Sequence, residues 1–164
     1  MTVYADNAAT TQMSDSVLKA MMPLLTDIYG NPSSLHSVGQ IAKEHLEAAR
    51  ETVAECIGAD PKEIYFTSGG SEADNQAIRS AAYIGARKGK KHIISSKFEH
   101  HAVLHTLDAL KKEGFTVTLL DVYSNGIVKP EDVANAITEE TCLVTIMTAN
   151  NEIGTIQPIT EIGK

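Results

Sequence analysis

Apolar residues recur at Val17, Met21, Leu25 and Ile28, a spacing that puts them on one side of a helix capped by Ser14 or Asp15. Gly30-Asn31-Pro32-Ser33-Ser34 breaks that helix. A second follows, with Val38, Ile41, His45 or Leu46, Ala49, Val53 and Ile57 on one side, and Gly58 ends it. Asp60-Pro61 marks a turn, and the apolar run Ile64-Tyr65-Phe66 predicts a strand over residues 64–67. From there the order is regular. A helix over 71–86, the basic turn Lys88-Gly89-Lys90-Lys91 and a strand over 92–96 follow. Next come a helix over 101–112, with Val103, Leu107 and Leu110 inward and Gly114 as its stop, and a strand over 115–120. After the turn Ser124-Asn125-Gly126, Pro130 suits a helix first turn, that helix runs to Ile137, and a strand spans 143–147. Gln157 to Lys164 reads as the start of one more helix, either a short, frayed end or the front part of a longer protein.

Strands alternating with helices predict an α/β fold, a mainly parallel sheet flanked by helices with right-handed crossovers. No repeat, low-complexity tract or linker divides the 164 residues, so a single structural unit is the economical reading.

Composition leaves that picture unchanged: 43% hydrophobic and 21% charged residues suit a globular domain. A formal charge of −7 argues against nucleic acid or an anionic membrane surface as the main partner. The start lacks the basic and apolar regions of a signal peptide, and no apolar run reaches membrane-spanning length, so a cytoplasmic protein is expected. Cys56 and Cys142 stand far apart in apolar patterns and read as inert core thiols, with no zinc or disulfide spacing.

Three segments at predicted strand ends are richer than packing needs. The first is Thr67-Ser68-Gly69-Gly70-Ser71-Glu72-Ala73-Asp74-Asn75. A strand, a glycine-rich turn and a helix start build an anion site, because glycines let backbone approach a ligand and free helix N–H groups favour negative charge. An ordinary turn capped by Ser71 is the plainer alternative. The second is Ser96-Lys97-Phe98-Glu99-His100-His101-Ala102. An imidazole at position 100 can stack on a flat heteroaromatic ligand and move protons, or simply sit on the surface near a helix start. The third is Thr148-Ala149-Asn150-Asn151-Glu152-Ile153-Gly154, where the paired amides offer donors and acceptors or merely form a turn. Ligands of open parallel sheets bind outside the carboxyl ends of strands, where all three segments fall. His101 and His105, one helical turn apart, could face one zinc ion, but no third ligand stands beside them.

With these residues assembled, the chain resembles the NifS/IscS-type cysteine desulfurases of the class V aminotransferases. The resemblance runs through Tyr4 to Thr11, Gly30 to Ser34, Phe66 to Asn75, Glu99-His100-His101-Ala102-Val103 and Asn150-Asn151-Glu152-Ile153-Gly154. It implies an incomplete fold-type I large domain that uses pyridoxal 5'-phosphate, with an N-terminal arm and helices over 1–60 and the first part of the cofactor-binding domain over 61–164. Gly70 and Ser71 match positions that hold the cofactor phosphate. His100 matches the histidine stacked on the pyridine ring, and Asn151 the asparagine beside the ring hydroxyl. Asn7, Ala8 and Asn31 match the substrate side of the pocket. Where relatives often carry Ala-Thr, this chain has Gly70-Ser71, which keeps the hydroxyl.

The resemblance further implies that L-cysteine is the substrate. A cysteine thiolate would attack its sulfur, leaving alanine and an enzyme persulfide whose sulfur passes to an acceptor such as an Fe–S scaffold protein, in a homodimer. The lysine that carries the cofactor and the nucleophilic cysteine match no position here; Cys56, Cys142, Lys97 and Lys164 are not their counterparts. The 164-residue chain alone is therefore expected to be inactive. Two other classes stand beside this one: a non-catalytic binding or regulatory module on the same fold, and a metal-dependent hydrolase using His101 and His105.

Overall fold

A computed structural model describes residues 2–164. The chain falls into two compact units, one ending at Phe66 and one spanning Thr67–Lys164.

In the first unit, α1 (Asp15–Thr26) is capped by Ser14, whose hydroxyl accepts the Val17 N–H at 3.4 Å. The helix forms as its periodicity predicts, yet none of its residues is buried, and Val17, Met21 and Leu25 stay exposed. Helix α2 (Ser37–Ile57) starts at His36, whose Nδ1 accepts the Gly39 N–H at 3.2 Å. It ends at Gly58, left-handed at φ 68°, a conformation that glycine adopts without a Cβ penalty. Helix α2 buries only Gly39 and Ala54, so Cys56 faces out and is exposed rather than being a core thiol.

The strand expected over 64–67 does not form. Asp60 caps a 3-10 turn at Pro61–Glu63, Ile64 is extended (φ −91°, ψ 122°), and no ladder partner reaches this stretch among the described residues. Tyr65 and Phe66 remain exposed. A strand exists only by exchanging N–H and C=O bonds with a neighbour, so an apolar run without one stays irregular. The segment is held from one side instead. The Arg50 guanidinium donates to the Ile64 carbonyl and lies over the Phe66 ring at 5.0 Å.

The second unit runs α3 (Gly70–Ala86), β1 (His92–Ser96), α4 (His101–Lys112), β2 (Thr116–Leu120), α5 (Pro130–Ala136), β3 (Thr141–Val144) and α6 (Ile159–Ile162). The sheet has the order β2-β1-β3 with both pairings parallel, as the alternation predicts. The third strand begins two residues earlier than its apolar run and ends at Val144; only the Thr145 N–H bond to the Ile94 carbonyl, at 2.9 Å, extends it. Cys142 is accordingly half-buried, and burial pushes its thiol up.

All five residues of the central β1 are buried. Ile78 and Ala82 of α3, Ile93 of β1, and Val103, Leu107 and Leu110 of α4 close around Phe115 as one core. Each large aliphatic group fully buried there contributes about 1.5–3 kcal/mol. The buried His92 is satisfied across the sheet, with Nδ1 at 2.8 Å from Thr141 Oγ1 and Nε2 at 2.8 Å from Thr118 Oγ1. Helix α3 approaches β3 closely because Gly85 has no side chain: a Cβ there would stand 2.2 Å from Cys142 Cβ.

Candidate functional site

Helix α3 begins without a side-chain cap. Gly69 holds the N-cap position and offers no side-chain bond. The first closing bond runs from the Ala73 N–H to the Gly69 carbonyl at 3.1 Å, so the N–H groups of Gly70, Ser71 and Glu72 have no carbonyl one turn back. A Cβ built on Gly69 or Gly70 would meet no atom of the described residues within 4 Å. Free donors, the positive end of a helix dipole and open room together suit an anion. The Glu72 carboxylate reaches back to the turn before the helix, accepting the Ser68 N–H at 2.6 Å and the Ser68 hydroxyl at 2.7 Å. Those two bonds hold it below the usual carboxylate range and clamp the turn.

His100 is both exposed and the N-cap of α4. Its Nδ1 accepts the Ala102 N–H at 3.1 Å. A ring nitrogen that accepts carries no proton, so the neutral imidazole bears its hydrogen on Nε2. The cap thus fixes the ring's orientation and leaves Nε2 to engage a ligand.

Asn151 is exposed, and its Nδ2 donates to Glu152 Oε1 at 3.0 Å. Its neighbour Asn150 is buried and shapes the turn: Oδ1 accepts the N–H groups of Glu152 and Ile153 at 2.9 and 3.0 Å. His100 and Asn151 line one cavity of about 260 Å³ together with Glu99, His101, Leu104 and Asn150. Gly70 and Ser71 stand outside that lining, at the start of α3. A wider groove of about 540 Å³ runs between Leu120–Tyr123 and α5, away from all four of these residues.

The expected substrate-side residues lie in the first unit. Asn7 and Ala8 are exposed in the turn after Asp6. The Asn31 side chain accepts the Ser33 N–H at 2.9 Å, and the loop presses onto α2 at Gly39, where a Cβ would come within 2.6 Å of the Asn31 carbonyl. The rings of His101 and His105 stack with centroids 5.4 Å apart, and no third metal ligand joins them among the described residues.

Glu99 also lines this cavity, although in the sequence it stood out only as part of its segment and carried no role of its own. It is 8% exposed, and burial pushes its carboxyl above the usual range, with the nearby Asp74 adding to the effect. Oε1 accepts the Met147 N–H at 2.8 Å and the Ser96 hydroxyl at 3.0 Å. A lone acid between a buried strand and a helix was the available signal.

Residues 3–164 match the family described as aminotransferase class-V. The chain belongs to that family. Among the class-V relatives, the cysteine desulfurase IscS of Clostridium botulinum is 54% identical over 162 residues, covering 99% of this chain and 41% of that protein. The IscS of Methanosarcina thermophila is 52% identical, covering 99% and 40%. A solved NifS-like protein superposes with a TM-score of 0.95 at 44% identity, covering 99% of this chain and 44% of that one. A structure described as SspA in complex with cysteine reaches 0.93 at 41% identity, covering 99% and 46%. The class-V chain therefore spans about 41% of the length of the curated relatives it matches, and its parallel sheet is that of NifS-like, fold-type I enzymes.

Proposed function

We propose that this chain is the part of a pyridoxal-phosphate-dependent cysteine desulfurase that holds the cofactor's phosphate and ring. The observation that supports this most is the pairing of His100 and Asn151 on one cavity in a chain 54% identical to a cysteine desulfurase across 162 residues. The residues suit the group. The open, uncapped start of α3 offers N–H donors to a phosphate, and the small cavity offers an aromatic face and an amide to a flat ring bearing a hydroxyl.

In this reading Gly70 and Ser71 bind the phosphate through backbone N–H groups and the Ser71 hydroxyl. The His100 imidazole stacks on the ring and carries a proton at Nε2, since Nδ1 is committed to the Ala102 N–H. Asn151 turns its amide from Glu152 to the ring hydroxyl. Asn7, Ala8 and Asn31, in the first unit, keep the substrate-side role that the resemblance gives them. The bound cofactor would supply an electron sink conjugated to the amino-acid substrate.

The substrate is L-cysteine, and its sulfur leaves as an enzyme persulfide destined for an acceptor such as an Fe–S scaffold protein. The lysine and cysteine of that chemistry come from sequence other than these 164 residues. A homodimer working in the cytosol completes the proposal. No helix among the described residues is long and apolar enough to cross a membrane.

The test is alanine release from L-cysteine by the full-length protein in the presence of a thiol. One alanine per sulfur released, abolished when pyridoxal phosphate is removed, is the expected result. Turnover without the cofactor, or none with it, would overturn the proposal.

A further inference from the structure

The two loops that carry His100 and Asn151 are tied together by bonds from the residues immediately before each. Glu99 precedes His100, and its Oε1 accepts the Met147 N–H at 2.8 Å, reaching across to the end of the third strand's segment. Asn150 precedes Asn151, and its Nδ2 donates to the Phe98 carbonyl at 3.3 Å, reaching back to the first loop. Both residues are buried, at 8% and 6% exposure. Each is also fixed within its own loop. Glu99 Oε1 takes the Ser96 hydroxyl at 3.0 Å, and Ser96 Oγ in turn accepts the Phe98 N–H at 3.3 Å. Asn150 Oδ1 takes the Glu152 and Ile153 N–H groups, and its backbone N–H bonds the Thr155 carbonyl at 2.9 Å.

We propose that Glu99 and Asn150 are positioning residues: a reciprocal clasp that sets the distance between the His100 ring and the Asn151 amide. Glu99 Oε1 takes the Met147 N–H and the Ser96 hydroxyl at once, and removing it would leave both donors without that acceptor. The clasp is single-bonded in each direction, so loss of either bond lets one loop move against the other. A misplacement of about 1 Å in a site of this kind costs around a hundredfold in rate. The effect on ligand binding rests on the desulfurase reading; the coupling of the two loops does not.

The experiment uses the full-length protein and its Glu99→Gln, Glu99→Ala and Asn150→Asp variants. It reads the His100 ring and Asn151 side-chain amide resonances by NMR, thermal midpoints, and the dissociation constant for pyridoxal phosphate. Gln keeps an acceptor oxygen toward Met147 and Ser96, so it should leave both resonances in place. Ala removes it and should shift both, the Asn151 amide included although it lies on the other loop, and weaken pyridoxal phosphate about tenfold. Asp at 150 keeps the turn's acceptor but not the donor, and should shift His100. If Glu99→Ala lowers the thermal midpoint without moving Asn151, or Glu99→Gln moves both groups as Ala does, the clasp is refuted. Should Glu99→Ala not fold, a His100 resonance unmoved in Asn150→Asp refutes it equally. Absence of pyridoxal phosphate binding in the unsubstituted protein would sink the desulfurase reading instead, with the resonances still deciding the clasp.

Discussion

His100 Nδ1 accepts the backbone N–H of Ala102 at 3.1 Å, so the ring that stands at the candidate site also caps α4. The two duties separate by substitution. Asparagine is a good N-cap and alanine a poor one. His100→Asn should keep stability within a few tenths of a kcal/mol, whereas His100→Ala should lose about 1 kcal/mol in urea unfolding. Both should lose ring stacking and weaken pyridoxal phosphate alike. Equal stability of the two variants would contradict the cap.

Glu99 predicts a pH dependence with a definite sign. Burial raises its folded pKa, bonds from Met147 and Ser96 oppose the rise, and Asp74 adds to it. A raised acid contributes stability that is fully present below its ordinary value of 4.5 and lost as pH rises through the folded pKa. Gln does not titrate. The stability of Glu99→Gln relative to the unsubstituted protein should therefore grow from about pH 4.5 towards pH 7. Denaturant midpoints across that range measure it, and a constant gap would contradict the assignment.

Gly85 has no room for a side chain. A Cβ would stand 2.2 Å from Cys142 Cβ and 2.9 Å from its Sγ, forcing α3 off β3. Gly85→Ala should cost about 1–3 kcal/mol despite alanine's better helix propensity. Gly70→Ala meets nothing among the described residues within 4 Å and should leave the thermal midpoint nearly unchanged.

Ser95 is fully buried, and its hydroxyl has no hydrogen-bond partner among the described residues. Leaving such a group unpaired costs about 1–3 kcal/mol. Ser95→Ala should be neutral or stabilising by thermal unfolding, and a marked loss would show that the hydroxyl is satisfied after all.

Much of this was legible in the sequence because local signals and tertiary packing agree. Val103, Leu107 and Leu110 recur at helical spacing and do enter the core, and Gly58 and Gly114 do stop their helices. What failed was whatever depends on a distant partner. Ile64-Tyr65-Phe66 has strand composition but no neighbouring strand among the described residues. At the site, His100 and Asn151 stood out by resemblance, whereas Glu99 and Asn150 did not. Their significance lies in bonds across about fifty residues of sequence, to Met147 and Phe98, and spacing along a chain carries no trace of such bonds.

The central claim is that this chain grips the cofactor while the group that bonds to it covalently lies elsewhere. Borohydride reduction of the full-length protein loaded with pyridoxal phosphate, followed by peptide mapping, tests it directly. One reduced adduct per chain, on a lysine outside these 164 residues, with loading weakened by Ser71→Ala, is the predicted result. An adduct on Lys97 or Lys164, or loading indifferent to Ser71, would contradict it.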